Sequence, residues 1–111
     1  MTVETVLRGA ELDIVLKGGG LEKTLTFTTA GGLRAAWRWN PAAFPSDAFF
    51  ATELSLHREM AVVAPGADCW QYPIATFAKS ERGLEETVQG FAITPRWPVS
   101  LGQAQLEIPA P

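Results

Sequence analysis

The chain has 111 residues, a net charge of −3 and a pI near 5.0, with 47 % hydrophobic and 19 % charged residues. That length is enough for one core, with roughly two thirds of the unfolded surface buried on folding, and the nine basic residues form no cluster able to neutralise a run of phosphates, so nucleic acid is excluded as a partner. The single Cys69 excludes an internal disulfide and a thiolate zinc site, and no apolar stretch approaches the ~20 residues of a membrane helix.

Ten glycines and eight prolines punctuate the sequence so closely that short strands are expected rather than long helices. Residues 11–17 alternate, with Leu12, Ile14 and Leu16 on one face and Asp13 and Lys17 on the other. The run Gly18-Gly19-Gly20 then permits positive φ, and 21–28 alternates again, so the two segments read as a hairpin. After Ala30-Gly31-Gly32, residues 33–39 place Leu33, Ala35, Trp37 and Trp39 on one face, with Arg34 and Arg38 on the other.

A proline-bearing loop over 40–47 leads to a strand expected over about 49–56, apolar on both faces as an inner strand should be. Further short strands are expected at 60–63, 70–77, 84–89, 90–94 and 103–108. Residues 79–88 also fit a helix or a loop feeding a strand, and 109–111 form a frayed end. Regular short strands separated by turns predict an all-β fold, an antiparallel β-sandwich formed by one domain over 1–111.

Catalytic chemistry finds little support. Glycosidic cleavage needs two carboxylates at a set separation, ~5 Å or ~6.5–9.5 Å, and none of the acidic residues sits in a recognisable catalytic setting. Glu4, Glu11, Glu22, Glu85, Glu86 and Glu107 read as solvated strand or turn residues. His57 is the sole imidazole and is expected at the surface or as a cap, Cys69 is expected as a small buried hydrophobe, and no GxSxG elbow exists. The Gly18-Gly19-Gly20 run lacks the Lys-Ser/Thr of a phosphate-binding loop. No metal or other cofactor is expected.

Aromatic residues stand out instead. Trp37, Trp39, Trp70 and Trp97, with Tyr72, are many large amphipathic rings for this length, and such rings can stack on sugars while Glu, Arg and Gln hold the hydroxyls. Trp37 and Trp39 share a face with Leu33 and Ala35, so a core role is expected to outweigh a ligand platform for these two.

The segment 70–101 reads WQYPIATFAKSERGLEETVQGFAITPRWPVSL. It resembles the closing segment of the C-terminal β-sandwich domain of glycoside hydrolase family 57 enzymes, the α-amylases and 4-α-glucanotransferases. The matching elements are Trp70, Tyr72-Pro73-Ile74, Thr76, Ser80-Glu81-Arg82-Gly83, Leu84-Glu85, Gln89-Gly90 and Trp97-Pro98-Val99, and the strand from Phe49 to Leu56 is similar as well. Glu53 alternates with Phe49 and Ala51, so if buried it must find several donors or a cation, for which Arg82 and Arg38 are candidates, and would then mark a polar site or a structural ion pair.

The resemblance implies a sandwich similar to the galactose mutarotase-like folds. It also implies that nucleophile and acid lie in a separate N-terminal barrel, so the chain itself is expected to be no enzyme. The role implied is a cytoplasmic accessory domain that packs on the catalytic barrel of an α-glucan-active enzyme and helps shape its substrate cleft. An alternative is an independent α-glucan-binding module, with carbohydrate contacts from Trp37, Trp39, Trp70, Glu53, Glu81 and Arg82. A weaker one is a small sugar-modifying enzyme built on Glu53 and His57.

Overall fold

A computed structural model describes residues 1–58, 60–80 and 83–110, with the backbone alone described at 76–80 and 84–87. Among the described residues, nine strands form two antiparallel sheets. The first has five strands in the order β1-β2-β3-β4-β9, namely Thr2–Arg8, Glu11–Gly18, Leu21–Phe27, Leu33–Trp39 and Gln103–Ile108. The second holds β5 (Phe49–Ala51), β6 (Leu54–Leu56), β7 (Asp68–Ser80) and β8 (Gly83–Pro98).

The glycine run acts as the sequence predicts. Gly18 pairs with Leu21, and Gly19 and Gly20 between them both have positive φ, 59° and 78°, the requirement of a tight two-residue hairpin turn. From there the chain meanders through β4, whose other edge takes β9 rather than a neighbour in sequence.

β8 organises the second sheet. Arg96 pairs with Asp68 of β7 and with Ala51 of β5, and Ile93 pairs with Gln71 of β7 and Leu54 of β6. Hence β7 lies along one edge of β8, while β5 and β6 share the other. A bulge at Ile74/Ala75 leaves Gln89 as the extra residue on β8. Next to it, a Cβ on Gly90 would fall on the carbonyl oxygen of Leu56, so the end of β6 can approach only a glycine.

The core lies between the inward faces of the two sheets. Trp37 and Trp39 of β4 meet Phe50 of β5 at ring-centroid distances of 5.3 and 4.9 Å, and Trp97 of β8 closes the cluster at 6.0 Å from both Trp37 and Phe50. Ala35, Val99, Ala104 and Leu106 fill the gaps. Two of the three buried indoles donate to backbone carbonyls: Trp39 Nε1 to Val99 at 2.7 Å, and Trp97 Nε1 to Pro65 at 2.9 Å. The all-β sandwich expected from the sequence is therefore the observed architecture.

Several boundaries differ from the sequence reading, each for a local reason. Residues 2–8 form an edge strand, β1, where none was expected. The strand anticipated over 49–56 is broken at Thr52-Glu53 into β5 and β6. The segment 60–63 contributes one isolated bridge, Val63 to Glu107, in place of a strand. Residues 84–89 and 90–94 merge into one long β8; of the stretch 79–88 that fitted a helix, 79–80 end β7, 83–88 begin β8, and 81–82 lie outside the described residues.

The molecule is extended for its length. Its radius of gyration is 17.3 Å and its extents are 54 × 39 × 26 Å, against a radius of about 13 Å expected of a compact chain of this size. One cause is the β7–β8 hairpin: β5 and β6 reach β8 only between Phe91 and Pro98, so its far half pairs with β7 alone.

Candidate functional site

Two surfaces and one ion-pair network stand out from the rest of the sandwich. Each follows from the registers just given, because directly paired residues of an antiparallel sheet share a face.

The first surface continues the core face of the five-stranded sheet outward from β4. That face carries Leu21, Leu25 and Phe27 with Lys23 on β3, Leu12, Ile14 and Leu16 on β2, and Val3 and Leu7 with Thr5 on β1, so it is mostly apolar. Leu21 and Leu25 still pack against the core, but the second sheet does not reach β1, where Val3 is 59 % and Leu7 73 % exposed. Phe27 is exposed too. An aliphatic sheet face of this kind is left without a cover of its own.

The second surface is the outer face of the four-stranded sheet. Trp70 and Tyr72 alternate along β7 with Cys69 and Gln71, so both rings point outward, and Phe49 of β5 lies on the same face. Arg96 stands between Phe49 and Trp70, its guanidinium carbon 4.4 Å from the first ring centroid and 5.0 Å from the second. Its Nε is buried and has no hydrogen-bond acceptor among the described residues.

The network lies on the outer face of the five-stranded sheet. Buried Asp13 accepts from Thr26 Oγ1 at 2.8 Å and pairs with Arg8 at 2.7 Å, and Glu11 pairs with Arg34 at 3.0 Å and with Arg8 at 3.8 Å. These two carboxylates are committed to arginines that cross-link β1, β2 and β4. The hollow beside them, bounded by Arg8, Thr26, Arg34 and the 63–65 segment, holds only about 210 Å³, below the roughly 300 Å³ at which ligand clefts begin. The network therefore has the form of sheet bracing.

The residues singled out from sequence divide between these places. Trp37 and Trp39 are buried in the core and leave no ring face for a sugar, as their alternation with Ala35 implied. Trp70 is exposed on the aromatic face. Glu53 is exposed in the gap between β5 and β6, where the strand is broken, so the burial that would have required a cation or several donors does not arise. Arg38 faces outward on the other sheet. Glu81 and Arg82 lie outside the described residues.

Cys69 also departs from expectation, being exposed on β7 rather than buried. His57 is exposed just beyond β6, as expected of a surface residue. Among the described residues no group of three or more His, Cys, Asp or Glu side chains is placed to hold a metal, and no helix is long and apolar enough to cross a membrane. Sequence reasoning missed Phe49 and Arg96; their signal was the period-two alternation around Phe50 and Trp97, whose neighbours must face outward.

Residues 46–108 match the profile of the family described as alpha-amylase/4-alpha-glucanotransferase, C-terminal. The structure of a 4-alpha-glucanotransferase from Thermococcus litoralis superposes with a TM-score of 0.56 at 16 % sequence identity, over 96 % of this chain and 22 % of that one. The chain thus spans about a fifth of the length of that enzyme, and the likeness is one of fold. No curated protein matches.

Proposed function

The chain belongs to the alpha-amylase/4-alpha-glucanotransferase C-terminal family, and from that premise we propose that it is a non-catalytic accessory domain docking on the catalytic domain of a larger α-glucan-active enzyme. One sandwich over 1–111 carries this role. The observation that supports it most is the uncovered aliphatic face of β1–β3, where Val3, Leu7 and Phe27 extend the core beyond the reach of the second sheet.

The physical argument is one of surface. Burial of apolar area contributes roughly 25 cal/mol per Å², so a sheet that presents aliphatic side chains to water gains by covering them with another apolar surface. The occupant proposed is the catalytic domain, since the family takes its name from the C-terminal part of its enzymes and the structural relative is about four times as long. Docked in this way, the sandwich shapes one wall of the substrate cleft. The setting proposed is the cytoplasm.

The non-catalytic part of this reading is tested by assaying the purified chain alone on maltooligosaccharides for hydrolysis, glucanyl transfer and mutarotation. No turnover above the uncatalysed rate is expected. Activity that survives chromatography to homogeneity would overturn it.

A further inference from the structure

We propose that the outer face of the four-stranded sheet is a binding platform for a neutral glucan chain, with Trp70 and Tyr72 as stacking rings and Arg96 as a fixed hydrogen-bond donor. The proposal extends the accessory-domain reading and takes from it only the choice of an α-linked glucan as the probe.

Geometry comes first. Trp70 and Tyr72 stand two residues apart on one strand face, a spacing of about 7 Å along β7. They are 58 % and 49 % exposed, unlike the three tryptophans of the core. Large rings held by a sheet lose little rotamer freedom when a ligand covers them.

Arg96 supplies the second, independent feature. Phe49 and Trp70 come from different strands and flank one guanidinium, which fixes its donors before any ligand arrives.

The surrounding residues select the ligand chemistry. Asp68 pairs in register with Arg96, Thr94 with Trp70 and Ser55 with Ala92, so acceptors and hydroxyls alternate with rings on this face. An anion meets one arginine opposite one carboxylate on a chain of net charge −3, a poor electrostatic match. An apolar protein surface is better served by the aliphatic face of β1–β3. A pyranose chain fits both halves of the pattern, offering C–H faces to the rings and hydroxyls that donate to Asp68 and accept from Arg96.

The test is isothermal titration calorimetry of the full chain with maltoheptaose, in the wild type and in the Trp70→Ala and Tyr72→Ala variants, with far-UV circular dichroism to confirm that each is folded. Saturable heat with a Kd on the order of 1 mM or tighter is expected, weakened about tenfold or more by Trp70→Ala. Absence of saturable heat at about 10 mM sugar, or undiminished binding in both folded variants, would overturn the proposal. So would loss of the complex with the catalytic domain in Trp70→Ala, because the face would then hold protein. None of these results bears on variants of β1, which report on docking separately.

Discussion

Trp39 and Val99 are sixty residues apart in sequence, yet the Trp39 indole donates to the Val99 carbonyl at 2.7 Å in the buried core. The bond ties the last residue of β4 to the turn that leaves β8, and so joins the two sheets at a point where neither can slide. Trp39→Phe keeps most of the ring volume and removes the indole donor, while the Val99 carbonyl still accepts from Gly102 N at 3.2 Å. It is expected to lower stability by about 0.5–1.5 kcal/mol, read as a lower denaturant midpoint with an unchanged slope in urea unfolding. Trp97→Ala removes the ring that touches both Trp37 and Phe50, and should cost about 3–5 kcal/mol, a large share of the stability of an ordinary domain.

Gly90 is required by contact rather than by φ. Because a Cβ there would meet the Leu56 carbonyl oxygen, a backbone atom that cannot swing aside, Gly90→Ala must push β6 away from β8. A loss of about 1–3 kcal/mol is expected from the forced shift. Thermal unfolding followed by circular dichroism checks it, with Gly19→Ala as a comparison that strains a turn and touches nothing.

Asp13 and Glu11 separate the buried and exposed parts of the ion-pair network. Asp13→Ala leaves the buried Thr26 hydroxyl without its acceptor and takes from the exposed Arg8 the nearer of its two carboxylates, and is expected to cost about 1–3 kcal/mol, mostly from the buried hydroxyl. Glu11→Ala breaks pairs whose partners are about half exposed, and should cost under about 1 kcal/mol. Chemical denaturation of both variants measures the difference, and equal losses would show that the network does not depend on burial.

Legibility of the fold in the sequence followed the strength of its alternation. The β2–β3 hairpin, β4 and β9 have clean period-two patterns bounded by glycines, and they appear where expected. β8 does not, because Gly90 and Pro95 read as breaks. In the structure Pro95 falls between the stretches paired with β5 and β6, where its carbonyl accepts from Thr52 N at 3.2 Å, and the strand continues through it.

β1 was hidden for a different reason. Val3, Val6 and Leu7 do not alternate, since this edge strand is apolar on parts of both faces. Its exposed leucine and valine gain meaning only once the register shows that they continue a core face. For the surface sites, burial decided what alternation left open: the sequence already set Trp37 and Trp39 on a face with Ala35, and only the sheet packing separates exposed Trp70 from buried Trp97.

Docking through β1–β3 is tested most directly by titrating the purified chain into the catalytic domain of its parent enzyme, comparing the wild type with the Val3→Asp/Leu7→Asp double variant. Both positions are exposed in the free chain, so the variant is expected to fold and keep its thermal midpoint. A complex with a Kd of about 1 μM or tighter is predicted for the wild type, weakened at least about a hundredfold by the two aspartates. Equal affinity for the folded variant, or no complex at about 100 μM, would contradict the account.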